Sequence, residues 1–265
     1  MDLDFTSEQE MLRDSAAKFF SKECPFDRVK EVEETEEGYS SELWQKVVEL
    51  GWAGLIFPEE YGGYGGMFMD LIIIQEEIGK AVFLSPFFSS VIQCGLIILE
   101  GGTEDQKKDL LGQIAEGTLI MSLAHYEEES SYHIASVNMT AEIQGDEYVL
   151  NGTKMFVMDA NICNKLVVVA KAGDDGLSLF LVDAGDPGLT ITKIPTISRD
   201  NSCEVIFKDV KVSKENILGS PGNGLDVLEK MYAKATIAKA AEMVGGCRVC
   251  IDITGEYAKQ REQYG

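Results

Sequence analysis

From Leu225 to Tyr264 the chain runs about 40 residues without an interior proline, and its apolar residues recur at helical spacing. Ala240, Val244, Cys247, Ile251, Thr254 and Ala258 share one face of the helix this predicts. Such a helix spans about 60 Å at 1.5 Å per residue. Packing against neighbours supplies most helical stability, so it needs partners. No further element follows it before Gly265, and on this reading the sequence is incomplete at its C-terminal end.

The segment before Gly219-Ser220-Pro221-Gly222-Asn223-Gly224 has a different rhythm. Val137, Met139, Ala141 and Ile143 alternate with polar residues, as do Cys203, Val205 and Phe207. Val167 to Ala170 is continuously apolar, as in a fully buried strand. Turns at 144–147 and 184–188 separate short strands, the pattern of an antiparallel barrel or sandwich. Before about Leu119 the period is helical again. Thr6-Ser7-Glu8-Gln9 and Thr103-Glu104-Asp105-Gln106 are capping boxes. Leu12, Ala16, Phe19 and Phe20 share a face, and so do Leu43, Val47 and Leu50, with Gly51 closing that helix. Asp70 to Lys80 and Ser89 to Glu100 read as further helices. The fold class is α+β and multidomain: a helical domain over 1–118, a β domain over 119–220, and a first bundle helix over 221–265.

The chain has 45 Asp and Glu against 23 Lys and Arg, a formal charge of −22. That excess argues against nucleic acid and anionic membrane surfaces as partners. The densest run, Glu31 to Glu37, reads as a solvated face or an acidic docking patch. Residues 221–265 carry as many acids as bases, as suits a helix destined for burial. No apolar run is long enough to span a bilayer, and Met1-Asp2-Leu3-Asp4-Phe5 is acidic where a signal peptide is basic. The reading is therefore cytoplasmic, with free thiols. Cys247 and Cys250 form a lone C-x-x-C inside the helical pattern, which favours helix packing over a metal.

Motif searching finds no nucleophile elbow, phosphate loop or metalloprotease helix. Gly62 to Gly66 is glycine-rich but matches neither phosphate-binding fingerprint. Glu127 to Glu129 near His125 and His133 lack metal-ligand spacing, so no metal site is assigned.

Four motifs taken together change this picture. Pro58-Glu59-Glu60-Tyr61-Gly62-Gly63-Tyr64-Gly65, Asn151-Gly152-Thr153-Lys154-Met155-Phe156-Val157, Phe207 to Val212 followed by Asn216-Ile217-Leu218-Gly219, and Arg261 to Gly265 resemble segments of the acyl-CoA dehydrogenases. The resemblance runs the whole chain. It implies a helical domain, a β domain and only the first helix of a C-terminal four-helix bundle. It also implies FAD as cofactor, an acyl-CoA thioester as substrate and electron-transfer flavoprotein as partner, in a homo- or heterotetramer. The reaction introduces a 2,3-double bond: a Glu takes the α-proton, and flavin N5 takes the β-hydride.

Carried over residue by residue, the resemblance assigns flavin contacts to Leu123, Ala124, Tyr126, Tyr132, Phe156, Val157, Met158 and Arg261. Tyr132 also falls where the family meets substrate. Tyr126, Tyr132 and Met158 replace the family's Thr, Ser and Thr, so three hydroxyl contacts change. Phe156 stands where an aromatic ring packs on the flavin; ordinary core packing is the alternative. Arg261 matches an Arg that reaches a neighbouring subunit's FAD; a surface ion pair is the alternative. Ala235 occupies the early base position, so no catalytic residue is assigned within this chain. Alone it is expected to be inactive and to retain FAD weakly. A non-catalytic subunit of a heteromeric dehydrogenase is the second reading, and an oxidase of the same fold the third.

Overall fold

The computed structural model describes residues 4–173 and 176–263. Met1 to Leu3, and the last two residues of the Arg261–Gly265 motif, lie outside them. Among the described residues six α-helices precede the strands: α1 (Ser7–Glu23), α2 (Phe26–Glu33), α3 (Ser41–Glu49), α4 (Phe68–Ala81), α5 (Gly95–Gly101) and α6 (Glu104–Ala115). Both capping boxes form as read. Thr6 Oγ1 accepts from the Gln9 amide at 3.2 Å, and Thr103 Oγ1 from the Gln106 amide at 3.3 Å. Ala16, Phe20, Leu43 and Val47 enter the core, whereas Leu50, the C-cap of α3, stays half exposed. The helix read over 89–100 is two elements. A π-helical stretch, Phe87–Cys94, runs straight into α5. The glycine-rich loop is a packing device: a side chain on Gly63 would strike the Phe57 carbonyl oxygen at 2.1 Å.

Seven strands follow: β1 (Met121–Ala124), β2 (Thr140–Gln144), β3 (Glu147–Met158), β4 (Lys165–Ala172), β5 (Leu177–Asp183), β6 (Leu189–Lys193) and β7 (Ser202–Ser213). They form one curled sheet in the order β1-β4-β2-β3-β7-β6, with β5 against β4. The pairing is mostly antiparallel, but β4 lies parallel to both β1 and β2. Val167 to Ala170 is fully buried, as its continuous apolar run requires. Ile143 breaks the β2 alternation by standing 58% exposed, one pair from the hairpin turn. The acidic run is pinned by its backbone to the sheet domain. The Glu37 carbonyl accepts from Asn161 Nδ2 at 3.1 Å and Asn201 Nδ2 at 2.8 Å.

The final helix, α7 (Gly224–Gln260), has 37 residues against the 40 read and buries a different face. Met231, Ala235, Ala238 and Gly245 face inward, and α7 packs along α4. The stripe read from Ala240 through Ala258 points outward instead. Small residues decide this, because Gly79 and Gly245 let the two backbones nearly touch. The outer half of α7 exposes Met243, Val244, Ile251, Ile253 and Tyr257. Cys247 and Cys250 are exposed there too, rather than packed.

Candidate functional site

The end of β1 and the middle of β3 lie side by side. The Met155 amide donates to the Tyr126 carbonyl at 2.8 Å, and Ser122 Oγ donates to the Met158 carbonyl. Beneath them Lys154, fully buried, pairs with Glu127 Oε1 at 2.7 Å and donates to the His125 carbonyl at 3.0 Å. Glu127 also accepts the amides of Asn138 (2.8 Å) and Met139 (3.0 Å), closing the 127–139 loop on itself. Burial lowers the Lys154 ammonium to about 8 against the pull of Glu127. Burial pushes Glu127 up, but Lys154 and the two amides outweigh it and hold the carboxyl below its usual range. The pair is thus ionised at neutral pH.

His125 is equally committed. Its Nε2 donates to the Ile134 carbonyl at 2.8 Å, which leaves Nδ1 to accept the Tyr232 hydroxyl proton at 2.8 Å. Burial depresses its pKa to about 4, so it is neutral. Burial likewise raises the Tyr232 phenol. His125 stacks on Tyr126 at 4.9 Å, and Tyr126 meets Tyr132 edge-on at 6.4 Å. The chemistry is structural: a neutral aromatic cluster that fixes the Tyr126 segment.

Among the residues singled out by sequence, Phe156 and Met158 share β3, and the Tyr126 backbone is hydrogen-bonded to that strand at Met155. Leu123, Ala124 and Val157 have buried side chains, so only their backbones can face a ligand. Phe156 is not core packing. It is 59% exposed and sits at φ +54°, within a register shift of β3 against β7. A bulky side chain in the left-handed region stores strain, which points to function rather than packing. Tyr132 is almost wholly exposed. Arg261 lies at the far end of α7, roughly 40 Å along the helix axis from Ala235, and joins none of them.

Sequence reading missed what lies behind Met158. A cavity of about 280 Å³ opens there, lined by Asp159, Gln75, Ser85, Lys239 and Glu242 among others. Asp159 is at φ +60° and accepts from Ser89 Oγ at 2.6 Å and Asn201 Nδ2 at 3.3 Å. Burial raises its pKa from 3.8 to about 6. A carboxyl shifted this way costs on the order of 3 kcal/mol once ionised. That stability is present below pH 4 and lost as pH rises through 6. Asp159→Asn is therefore expected to match the parent near pH 4 and exceed its stability by about 2–3 kcal/mol at pH 7. Urea unfolding across pH 4–8 checks this, and a pH-independent difference would refute it. No local motif flags Asp159, because its partners come from the π-helical stretch and the segment entering β7.

The exposed Phe156 ring is what β3 offers a planar aromatic ligand. The family models described as acyl-CoA dehydrogenase, N-terminal domain and middle domain, match residues 6–118 and 122–210. The chain is 32% identical to an acryloyl-CoA reductase (NADH) of Anaerotignum propionicum, covering 100% of the chain and 69% of the relative. It is 30% identical to the subunit CarC of a caffeyl-CoA reductase-Etf complex of Acetobacterium woodii, covering 98% of the chain and 71% of the relative. It superposes on butyryl-CoA dehydrogenase from Megasphaera elsdenii with TM-score 0.89 at 28% identity, covering 100% and 72%.

Proposed function

The chain belongs to the acyl-CoA dehydrogenase family, and from that premise we propose that it is the helical and β portion of a flavin-dependent oxidoreductase acting on the CH–CH bond of an acyl-CoA thioester. The domain limits we propose are 1–118, 119–220 and 221–265, the last being the first helix of a bundle. Electron-transfer flavoprotein is the proposed electron acceptor, a homo- or heterotetramer the proposed assembly, and the cytoplasm the proposed location. No helix among the described residues is long and apolar enough to cross a membrane.

FAD, when bound, supplies the hydride acceptor. The residues of this chain bind and orient it. Phe156 offers its ring to one face of the isoalloxazine, and the backbones of Leu123, Ala124, Tyr126 and Val157 offer hydrogen bonds. Met158, which lines the cavity, stands where the resemblance places a hydroxyl. Tyr132 would meet substrate and flavin pyrophosphate, and Arg261 would reach the FAD of a neighbouring subunit. Buried Ala235 can take no proton, so no catalytic base is assigned within residues 1–265.

The observation that carries this reading is Phe156, an aromatic side chain held exposed on strained backbone. In the full-length protein, Phe156→Gly is expected to weaken FAD binding at least tenfold while stabilising the flavin-free protein by about 1 kcal/mol, since glycine relieves the positive φ. FAD titration and thermal unfolding measure the two separately. Unchanged flavin affinity would remove the role given to Phe156. The replaced hydroxyl positions at Tyr126, Tyr132 and Met158 favour a second reading, a non-catalytic subunit of a heteromeric dehydrogenase. Acyl-CoA turnover by the full-length protein without a second subunit decides against it.

A further inference from the structure

The cavity behind Met158 is not lined as a hydrocarbon pocket. Among the described residues, three buried side-chain polar atoms lack a hydrogen-bond partner: Trp44 Nε1, Gln75 Oε1 and Ser85 Oγ. Gln75 and Ser85 both line this cavity. Gln75 is fully buried, and its amide nitrogen already donates to Glu242 Oε2. The atom left over is an acceptor. Lys239 Nζ donates to the same Glu242 Oε2 at 2.7 Å and sits 4.0 Å from the Phe88 ring centroid. Asp200 takes the hydroxyls of Thr196 and Ser198, and Arg199 pairs with Glu33 at 3.3 Å. The cavity therefore keeps one bare acceptor, Gln75 Oε1, beside a hydroxyl, Ser85 Oγ, that can both donate and accept.

We propose that this cavity binds an acyl group bearing a hydrogen-bond donor, a hydroxyl or an ammonium, beyond its reacting carbons. The proposal rests on the acyl-CoA reading above and names the substrate class of that same site. Water can pair with Gln75 Oε1 and Ser85 Oγ in a cavity of about 280 Å³. A donor-bearing acyl tail replaces that water bond for bond. A plain alkyl tail displaces it and leaves buried acceptors bare, the situation in which binding sites discriminate most strongly. Met158 lines the cavity and stands two residues after Phe156 on β3.

The test uses the full-length flavinylated protein and three thioesters of equal tail length: ω-hydroxypentanoyl-CoA, ω-aminopentanoyl-CoA and hexanoyl-CoA. Binding is followed by calorimetry and by the flavin spectrum under anaerobic conditions. The hydroxy or amino thioester is expected to bind at least tenfold more tightly than hexanoyl-CoA. Ser85→Ala removes a hydroxyl that holds no partner, so it should fold normally and reduce that preference several-fold. Gln75→Leu should abolish or reverse it. Hexanoyl-CoA binding equally well or better would overturn the proposal while leaving the acyl-CoA reading intact. If none of the three binds or perturbs the flavin, both fail. A preference that survives in Ser85→Ala and in a folded Gln75→Leu, verified by circular dichroism, would also overturn the assignment.

Discussion

Replacing Lys154 with methionine is expected to lower stability by about 3–5 kcal/mol, the largest loss of any single change considered. The ammonium is fully buried and its partner Glu127 is nearly so, at 9% side-chain exposure. Methionine matches the aliphatic stem but abandons the Glu127 carboxylate in a place that water does not reach. The His125 carbonyl loses a donor as well. The damage should be local in a readable way. Glu127 holds the amides of Asn138 and Met139, so their hydrogen exchange should quicken first. Glu127→Gln should cost less, because the amide can still accept from the backbone. Urea unfolding with site-resolved exchange checks this; a loss below about 1 kcal/mol for Lys154→Met would show that the pair does not hold the loop.

The second large effect is expected where α7 crosses α4. An alanine methyl at Gly245 would lie 2.1 Å from the Glu76 carbonyl oxygen, and one at Gly79 would lie 2.0 Å from the Glu242 carbonyl oxygen. Both obstacles are backbone, so the helices must separate. Overpacking of this kind costs about 1–3 kcal/mol, even though alanine favours helix over glycine by up to about 1 kcal/mol. The two changes force the same separation, so the double variant should lose less than the sum. Gly255 lies on the same helix with nothing within 4 Å. There Gly255→Ala should instead stabilise by up to about 1 kcal/mol. Thermal unfolding of the three variants checks the contrast, and equal effects at Gly245 and Gly255 would contradict the crossing geometry. Separation should also open the cavity, since the Gln75–Glu242 hydrogen bond bridges these two helices.

The helix starts at Thr6 and Thr103 were legible because a capping box closes within four residues. The buried run Val167 to Ala170 was legible because a strand covered on both faces has no polar side. The motif around Lys154 and Phe156 was legible as a resemblance, yet its physical content was not. No spacing rule tells that Lys154 turns inward to Glu127 while Phe156, two residues on, is held outward at positive φ. The β3 register shift against β7 produces that difference, and it depends on pairing with residues about fifty positions away.

By itself the sequence determined the elements whose hydrogen bonds and apolar periods are local: the capped helices, the strand rhythm, the length of α7 to within four residues, and the family. Tertiary structure alone decided which face of α7 is buried. Periodicity marks the apolar stripe from Ala240 to Ala258, but close backbone approach at Gly79 and Gly245 selects the opposite one. It alone also assembled the cavity, from Gln75 on α4, Asp159 after β3 and Glu242 on α7. Those residues lie far apart in the chain, and only burial gives them partners, perturbed acidity or an unfilled hydrogen bond.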